Sequence, residues 1–549
     1  SLVSSDITPI ILASQKNQFD IVQMLLDLGD QIDVPHDYYC QCKVCRGASS
    51  FDELRFAKTR LNTYKGLASE SYISLSSKDP ILTAFQLRAK LKQLGDIEKY
   101  FRTDYAKLAS HLTDYVMRLL DKVRDGDELE VVLNEETGTS FVAYDRLARL
   151  KLALFYHEKK FVAHASCQKR LTSIWYGEIH SLERMPAWLM IPTLLLLLIA
   201  YPFLAIIFWI YPWGRVGNLL RTPVIKFYAN AMSYGVFIAI LIAHTAMAKA
   251  SMGQQLTDHP KIGPLYKQYL NNCAEAGMQP SVGNPLLIIG LVWQTVKKVY
   301  TERLKAFLES WYNISDVIML IMYITSFVLV LFTNTQVKDS LDNFSNDDGW
   351  SLLMAGDDEM VKATYWLNRY NWDLWDPGLV SDALFAVANV ISVTRMTYIL
   401  AVSERLGPLI ISLARMIIDV FAFMSIFLLV MIAFVIGFRN LYWYYSPQRI
   451  FRTVYWSIFG MTDYDSVELG DYGQGITSIV GEILFGIYNW IIIIILINML
   501  IAMMARSYET IAAEEDMEWK FSRSKLYLEY IRDGGTLCVP FNMVPTWKS

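Results

Sequence analysis

The feature that most limits what this chain can fold into is a series of long apolar runs between residues 186 and 506. A bilayer core takes about 20 mostly apolar residues per crossing helix. Residues 227–248, FYANAMSYGVFIAILIAHTAMA, contain no Asp, Glu, Lys or Arg. Five more runs follow: 284–300, apolar at its start and basic at its end; 311–333, with one Asp; 379–402, with one Asp and one Arg; 417–438, with one Asp; and 480–505, with one Glu. Six membrane spans are therefore expected. A seventh apolar run, 187–213, carries Pro192, Pro202 and Pro212. Proline breaks the helical hydrogen-bond ladder, and backbone freed within lipid is costly unless protein covers it. This run is therefore expected to be a re-entrant or half-buried segment ahead of the first span.

The flanks read differently. Residues 1–180 and 507–549 are mixed in charge, in the style of soluble helical segments. The opening SLVSSDITPI has neither the basic start nor the apolar core of a signal peptide, and because it does not begin with Met, further sequence upstream is expected. A net charge of −4 is too balanced to suggest a nucleic-acid partner. The connection 296–310, VKKVYTERLKAFLES, is rich in Lys and Arg and is expected on the cytosolic side. The connection 335–376 is acidic and holds the glycosylation sequon Asn343-Phe344-Ser345, which fits the outside. With six spans, both termini are then cytosolic.

Between the last two spans lies SPQRIFRTVYWSIFGMTDYDSVELGDYGQG. Residues 449–460 are expected to form an amphipathic helix too short to span, ending at Gly460 and followed by Asp463, Asp465, Glu468 and Asp471. Backbone carbonyls beyond such a half-helix can line a narrow cation path, with carboxylates concentrating cations at its mouth. An ordinary acidic loop explains the same residues equally well. A pore of this kind needs several copies around one axis, most simply four.

The chain has six cysteines, and three fall in PHDYYCQCKVC, residues 35–45. His36, Cys40, Cys42 and Cys45, spaced H-x3-C-x-C-x2-C, have the chemistry of a closed tetrahedral zinc site. A disulfide with one free thiol, or three inert small residues, are the competing readings. A reducing cytosol disfavours the disulfide and raises metal binding.

Several longer stretches resemble the TRPC subfamily of transient receptor potential (TRP) cation channels: INMLIAMMARSYETIAAEEDMEWKFSRSKLYLEYIRDGGTL, NTYKGLASESYISLSSKDPILTAFQLRAKL, FVAHASCQKRLTSIWY and PFNMVP. The resemblance covers nearly the whole chain. It implies a mainly α fold: a six-helix transmembrane channel, with a four-helix sensor-like bundle and a pore module, carrying cytosolic ankyrin repeats and linker helices and assembling as a homotetramer, or as a heterotetramer with related subunits. It implies a non-selective, calcium-permeable channel of the plasma membrane, responsive to phospholipase C signalling through diacylglycerol, with membrane lipids and calmodulin among its partners. The expected divisions are an ankyrin repeat at 1–34, a zinc clip at 35–50, linker helices at 51–180 and the pre-helix segment at 181–223. The sensor-like bundle then takes 224–403, a linker 404–416, the pore domain 417–506, and the TRP helix with the C-terminal segment 507–549.

Residue by residue, the resemblance makes the four zinc ligands structural. It places Phe459, Gly460, Met461 and Asp463 in the selectivity filter, and Ile501 at an apolar gate followed by Ala505. It places Val454, Tyr455 and Trp456 in a lipid groove. Trp519, which shares a helical face with Leu526 and Tyr530, is expected to couple to the linker SERLGPLIISLARM, with Gly407 as the point of close approach. Three departures stand out. Ala505 and Arg506 replace two polar residues, and Glu509 is placed to pair with Arg506. The fourth span has only Arg395 in its apolar stretch, so weak voltage dependence is expected. At the family's cytosolic calcium site, Asn313 and Asp316 are present but Thr295 and Lys298 stand at the carboxylate positions, so the site reads as degraded. Lys298 or Arg395 is the expected partner of Asp316.

No enzymatic constellation appears. The competing readings are a membrane-anchored ankyrin scaffold that conducts nothing, and a transporter, which calls for inverted repeats and charges near the midplane.

Overall fold

A computed structural model describes residues 7–40, 42, 53–134, 147–177, 179, 185–258, 285–302, 304–345, 373–442, 445–461, 475–531 and 537–543. Among these residues the chain forms helices and no strand. It divides into two units, residues 1–169 with 403–525 and residues 170–402 with 526–549.

The first unit begins with a helix pair, Pro9–Gln15 and Phe19–Asp27. Thr8 caps the first helix, its hydroxyl accepting from Ile11 N, and Pro9 sits where a missing N–H costs nothing. The pair is tied to the helices that follow. Gln15 donates to the carbonyl of Asn62, and the Asn17 side chain accepts from Ser71 N. Helices Pro80–Ile97 and Arg102–Asp121 pack together, and Glu98 accepts from both Arg60 (2.7 Å) and Tyr105 (2.8 Å). Asp79 caps the first of these and also binds Arg149 at 2.6 Å. Most of the described residues within 53–176 are therefore helical.

The same unit holds the helices of the expected pore module. Gly407–Leu441 is one continuous helix of 35 residues, so the expected linker 404–416 is largely its first turns rather than a separate element. A short helix, Pro447–Ser457, precedes Ile476–Asn489, Trp490–Ile497 and Asn498–Ala512, which run on as one apolar span. The middle piece is a π-helix of eight residues, WIIIIILI. Phe427, Phe438, Val454, Tyr488 and Ile492 form the core of this module.

The second unit contains the other membrane helices. Five helices across the described residues are long and apolar enough to cross a bilayer: Pro223–Ala243, Trp311–Gln336, Pro377–Leu400, Gly407–Leu441 and Ile476–Ala512. Helix Pro285–Glu302, where the second span is expected, is not among them: its last turns carry Lys297, Lys298 and Glu302, and residues 259–284 before it lie outside the described residues. The helix begun at Trp311 continues to Ser345, through the sequon.

In the pre-helix segment the bend falls at Pro212, the last of its three prolines. Helix Ala187–Ile210 continues through Pro192 and Pro202. The break comes at Tyr211–Gly214, where the chain bends by 115° into Arg215–Arg221. A proline forfeits one hydrogen bond without ending a helix whose other bonds persist.

Candidate pore loop, its cytosolic coupling and the sensor cavity

The short helix before the filter residues owes both ends to sequence. Ser446 caps it, accepting from Arg449 N, and Pro447 follows in the first turn. At the other end Gly460 has φ +70, its N–H donates to Ser457 O (3.0 Å), and Met461 N–H donates to Trp456 O (3.2 Å). These paired bonds around a left-handed residue are a Schellman cap, which glycine adopts most cheaply. The helix thus ends three residues earlier than the expected 460, with 458–460 as its closing turn.

One face of this helix is locked. Val454 is 1% exposed and Tyr488 fully buried, and the Tyr488 hydroxyl donates to Val454 O at 2.9 Å. The opposite face is open, with Tyr455, Trp456, Phe459 and Met461 all exposed. The expected lipid-groove residues are therefore split: Tyr455 and Trp456 face outward, whereas Val454 belongs to the core. Behind the helix is a cavity of about 30 Å³ lined by Phe438, Tyr442, Arg449 and Phe485 among others. Gly481 on the last span lets Tyr442 close in, because a Cβ there would fall 2.0 Å from the tyrosine oxygen. Asp463, Asp465, Glu468 and Asp471 lie outside the described residues.

On the last span Ile501 is 59% exposed, and Ala505 and Arg506 are exposed too. Next to them Ser507 donates to Asp419 of helix Gly407–Leu441 at 2.5 Å.

The helix Glu515–Ile531 follows. Glu518 is buried, and one of its carboxylate oxygens receives Lys159 and Arg415, each at 2.5 Å. Arg415 stands in the helix that opens with buried Gly407, so an ion pair links the EWKF segment to the expected linker. Beside it Arg523 lies over the Trp519 ring at 4.2 Å and donates to Gln168, which in turn donates to Ser524. Glu518, Lys159 and Arg415 were not singled out from the sequence. Pairs 359 residues apart, as Lys159 and Glu518 are, leave no local pattern. Trp519, Leu526 and Tyr530 lie on one face of this helix, and burial extends beyond that face to Ser524, Tyr527 and Leu528. Tyr530 is half-buried, and burial pushes its hydroxyl pKa upward.

In the second unit, a cavity of about 90 Å³ is lined by Asn230, Tyr234, Thr295, Lys298, Asp316, Arg395, Tyr398 and Glu529, among others. Asp316 pairs with Arg395 at 2.8 Å, one of its two expected partners. Lys298 instead binds Glu529 at 2.5 Å, and the other Glu529 oxygen accepts from Tyr398 at 2.8 Å. Thr295 donates to Leu291 O and Asn313 to Phe307 O. The C-terminal residues Leu537–Val539 are buried in the same unit. Tyr201 Oη accepts from Cys538 N, Ser233 donates to Val539 O at 2.5 Å, and Asn542 donates to Gly290 O.

Of the four expected zinc ligands, His36, Cys40 and Cys42 converge, with the His36 Nδ1 lying 3.5 and 3.4 Å from the two sulfurs. Ligands on a tetrahedral zinc are about 3.5 Å apart, as arms of roughly 2.0–2.3 Å require, so the three present fit the ion. Cys45 lies outside the described residues. Burial pushes the Cys167 thiol up to about 12 and the Cys538 thiol up to about 11, so both stay protonated near neutral pH and are poor metal ligands.

The description "Transient receptor ion channel II" matches residues 40–102, and "Calcium channel YVC1-like, C-terminal" matches residues 285–548. The chain is 37% identical to human short transient receptor potential channel 3 over 568 residues, all of this chain and 61% of that one. It is 34% identical over 596 residues to the transient receptor potential-gamma protein of Drosophila melanogaster, covering 100% of this chain and 51% of that protein. With mouse short transient receptor potential channel 4 the identity is 34% over 571 residues, 99% of this chain and 54% of the relative. The chain thus spans about half to six tenths of the length of these relatives. Among solved structures, a thermo-sensitive TRP channel of the alga Chlamydomonas reinhardtii matches with TM-score 0.58 at 17% identity, covering 98% of this chain and 65% of that one, a likeness of fold. At 34–37% identity over essentially all of its length, and on a helical fold shared with a TRP channel, the chain is similar to the short transient receptor potential channels.

Proposed function

We propose that this chain is one subunit of a tetrameric, non-selective, calcium-permeable cation channel of the plasma membrane, receptor-operated through phospholipase C and diacylglycerol. The observation that carries the reading is the capped half-helix Pro447–Ser457, set between two long apolar helices and ending at a left-handed glycine. Phe459, Gly460, Met461 and Asp463 form the filter in this reading, and Asp463 draws divalent cations to it. Ile501, exposed in the single chain, meets its symmetry mates as the gate, where an apolar ring excludes ions by dewetting. Tyr455 and Trp456 offer their open face to lipid. The buried cluster around Glu518 couples the linker helices to the pore module.

His36, Cys40 and Cys42, with Cys45, hold a structural zinc beside an ankyrin-type helix pair. The zinc would supply cross-linking and no chemistry. Protein purified without chelator is expected to contain about one zinc per chain. Reduced, active protein free of zinc rejects this part.

The functional test is patch recording from cells expressing the chain, under phospholipase C stimulation. A cation current is expected, with Ile501→Asn raising its basal level and Asp463→Asn lowering calcium permeability relative to sodium. Surface-expressed, tetrameric protein without current supports the scaffold reading instead.

A further inference from the structure

The cavity of the second unit contains two carboxylates, Asp316 and Glu529, and two cations, Lys298 and Arg395. A calcium ion binds through several free oxygens, mostly carboxylate. Here both carboxylates are already paired. Asp316 is held by Arg395, and Glu529 takes Lys298 on one oxygen and the Tyr398 hydroxyl on the other. The Thr295 hydroxyl donates to its own helix. The Lys298 ammonium also repels any second cation entering the same small space. The residues present therefore do not fit a divalent ion.

We propose that Lys298, Glu529 and Tyr398 form a built-in ionic latch that takes the place of a bound divalent cation in this cavity. Glu529 is on the last turn of the helix that follows the final span, Lys298 is on helix Pro285–Glu302, and Tyr398 is on helix Pro377–Leu400. The latch joins these three helices through both oxygens of one carboxylate. Its cation is part of the chain, so it holds at any cytosolic calcium level. Glu529 is a positioning residue that acts through the helix carrying it. The latch does not depend on conduction; its effect on gating rests on the channel reading, and the test has one arm for each.

The first arm is thermal unfolding of the purified full chain, with calcium alone as the probe. Lys298→Gln removes the ammonium and leaves the two carboxylates with one base. This variant is expected to melt below wild type and to gain a calcium-dependent rise in Tm larger than wild type shows. The exchange Lys298→Glu with Glu529→Lys is expected to melt above either single exchange, which a role in packing alone would not produce. A calcium shift in Lys298→Gln equal to or below that of wild type overturns the proposal. So does a double exchange no more stable than the weaker single one. In the second arm, inside-out patches, Lys298→Gln is expected to change basal current several-fold and to make it depend on cytosolic calcium. Absence of current in every variant, with the thermal result intact, leaves the latch standing and refutes the channel reading.

Discussion

The expected pore module and the expected sensor bundle build their cores differently. In the bundle, polar groups are satisfied from within: Tyr323 donates to Asn389 and meets Ser392, Tyr234 donates to Ser392 O, and Ser326 pairs with Ser381. Met319, Ala388 and Ser392 at its centre are 0% exposed. The pore-module core is built of rings and aliphatic side chains, Phe423, Phe427, Phe438 and Tyr488 among them, and both regions leave large apolar side chains bare, Phe421 at 73% and Ile501 at 59% in one, Val390 at 65% and Ile242 at 64% in the other. In a membrane, packing and internal hydrogen bonds hold helices together, because lipid matches an apolar side chain as well as protein does. The bundle core is fixed by directional hydrogen bonds, and its apolar outer face is left for lipid. A module with one locked face and one bare aromatic face is completed by lipid or by other copies.

The largest effect should come from breaking the locked face. Tyr488→Ala removes a fully buried ring from the pore-module core, along with the hydrogen bond to Val454 O, and is expected to cost about 3–5 kcal/mol. Loss of the tetramer peak in size-exclusion chromatography, with the protein otherwise expressed, is the expected readout. Tyr488→Phe keeps the ring and should keep assembly.

Glu518→Gln comes next. It leaves Lys159 and Arg415 sharing a neutral oxygen. Both cations are about a third exposed, so the loss is discounted for solvent to about 1–2 kcal/mol. Its mark on function should exceed its mark on stability: the stimulus needed for half-maximal current is expected to shift while Tm falls only slightly. A large drop in Tm with unchanged activation would place Glu518 in folding alone.

The smallest effect belongs to Ser446→Ala, which removes the cap of helix Pro447–Ser457 at a cost of about 1 kcal/mol. A modest fall in Tm is expected, with the filter's ion preference retained.

How much of this was legible in the sequence follows from the range of the interactions. Apolar run length places every one of the five spanning helices, and the half-helix with its terminal glycine is visible in RIFRTVYWSIFG because a cap is a local device. The cysteine cluster is legible for the same reason. Two features defeat a local reading. Helix Ala187–Ile210 tolerates two prolines, and the isoleucine run 491–495 sits in a π-helix that no periodicity signals. The ionic partners of Glu518 and Glu529 are set by the fold, since nothing in the sequence joins Lys298 to a residue 231 positions away. The burial of Leu537–Val539 is hidden likewise, in a stretch whose neighbours only resemble a family motif.

The central claim is that the turn closing helix Pro447–Ser457 faces a conducting path. Met461 is exposed directly after the glycine cap. Met461→Cys, treated from outside with a membrane-impermeant, positively charged thiol reagent during recording, tests that claim most directly. Rapid and irreversible block of the current is expected, slowed by permeant cations, with wild type unaffected. A Met461→Cys current that persists unchanged, while labelling of the cysteine is confirmed, would contradict it.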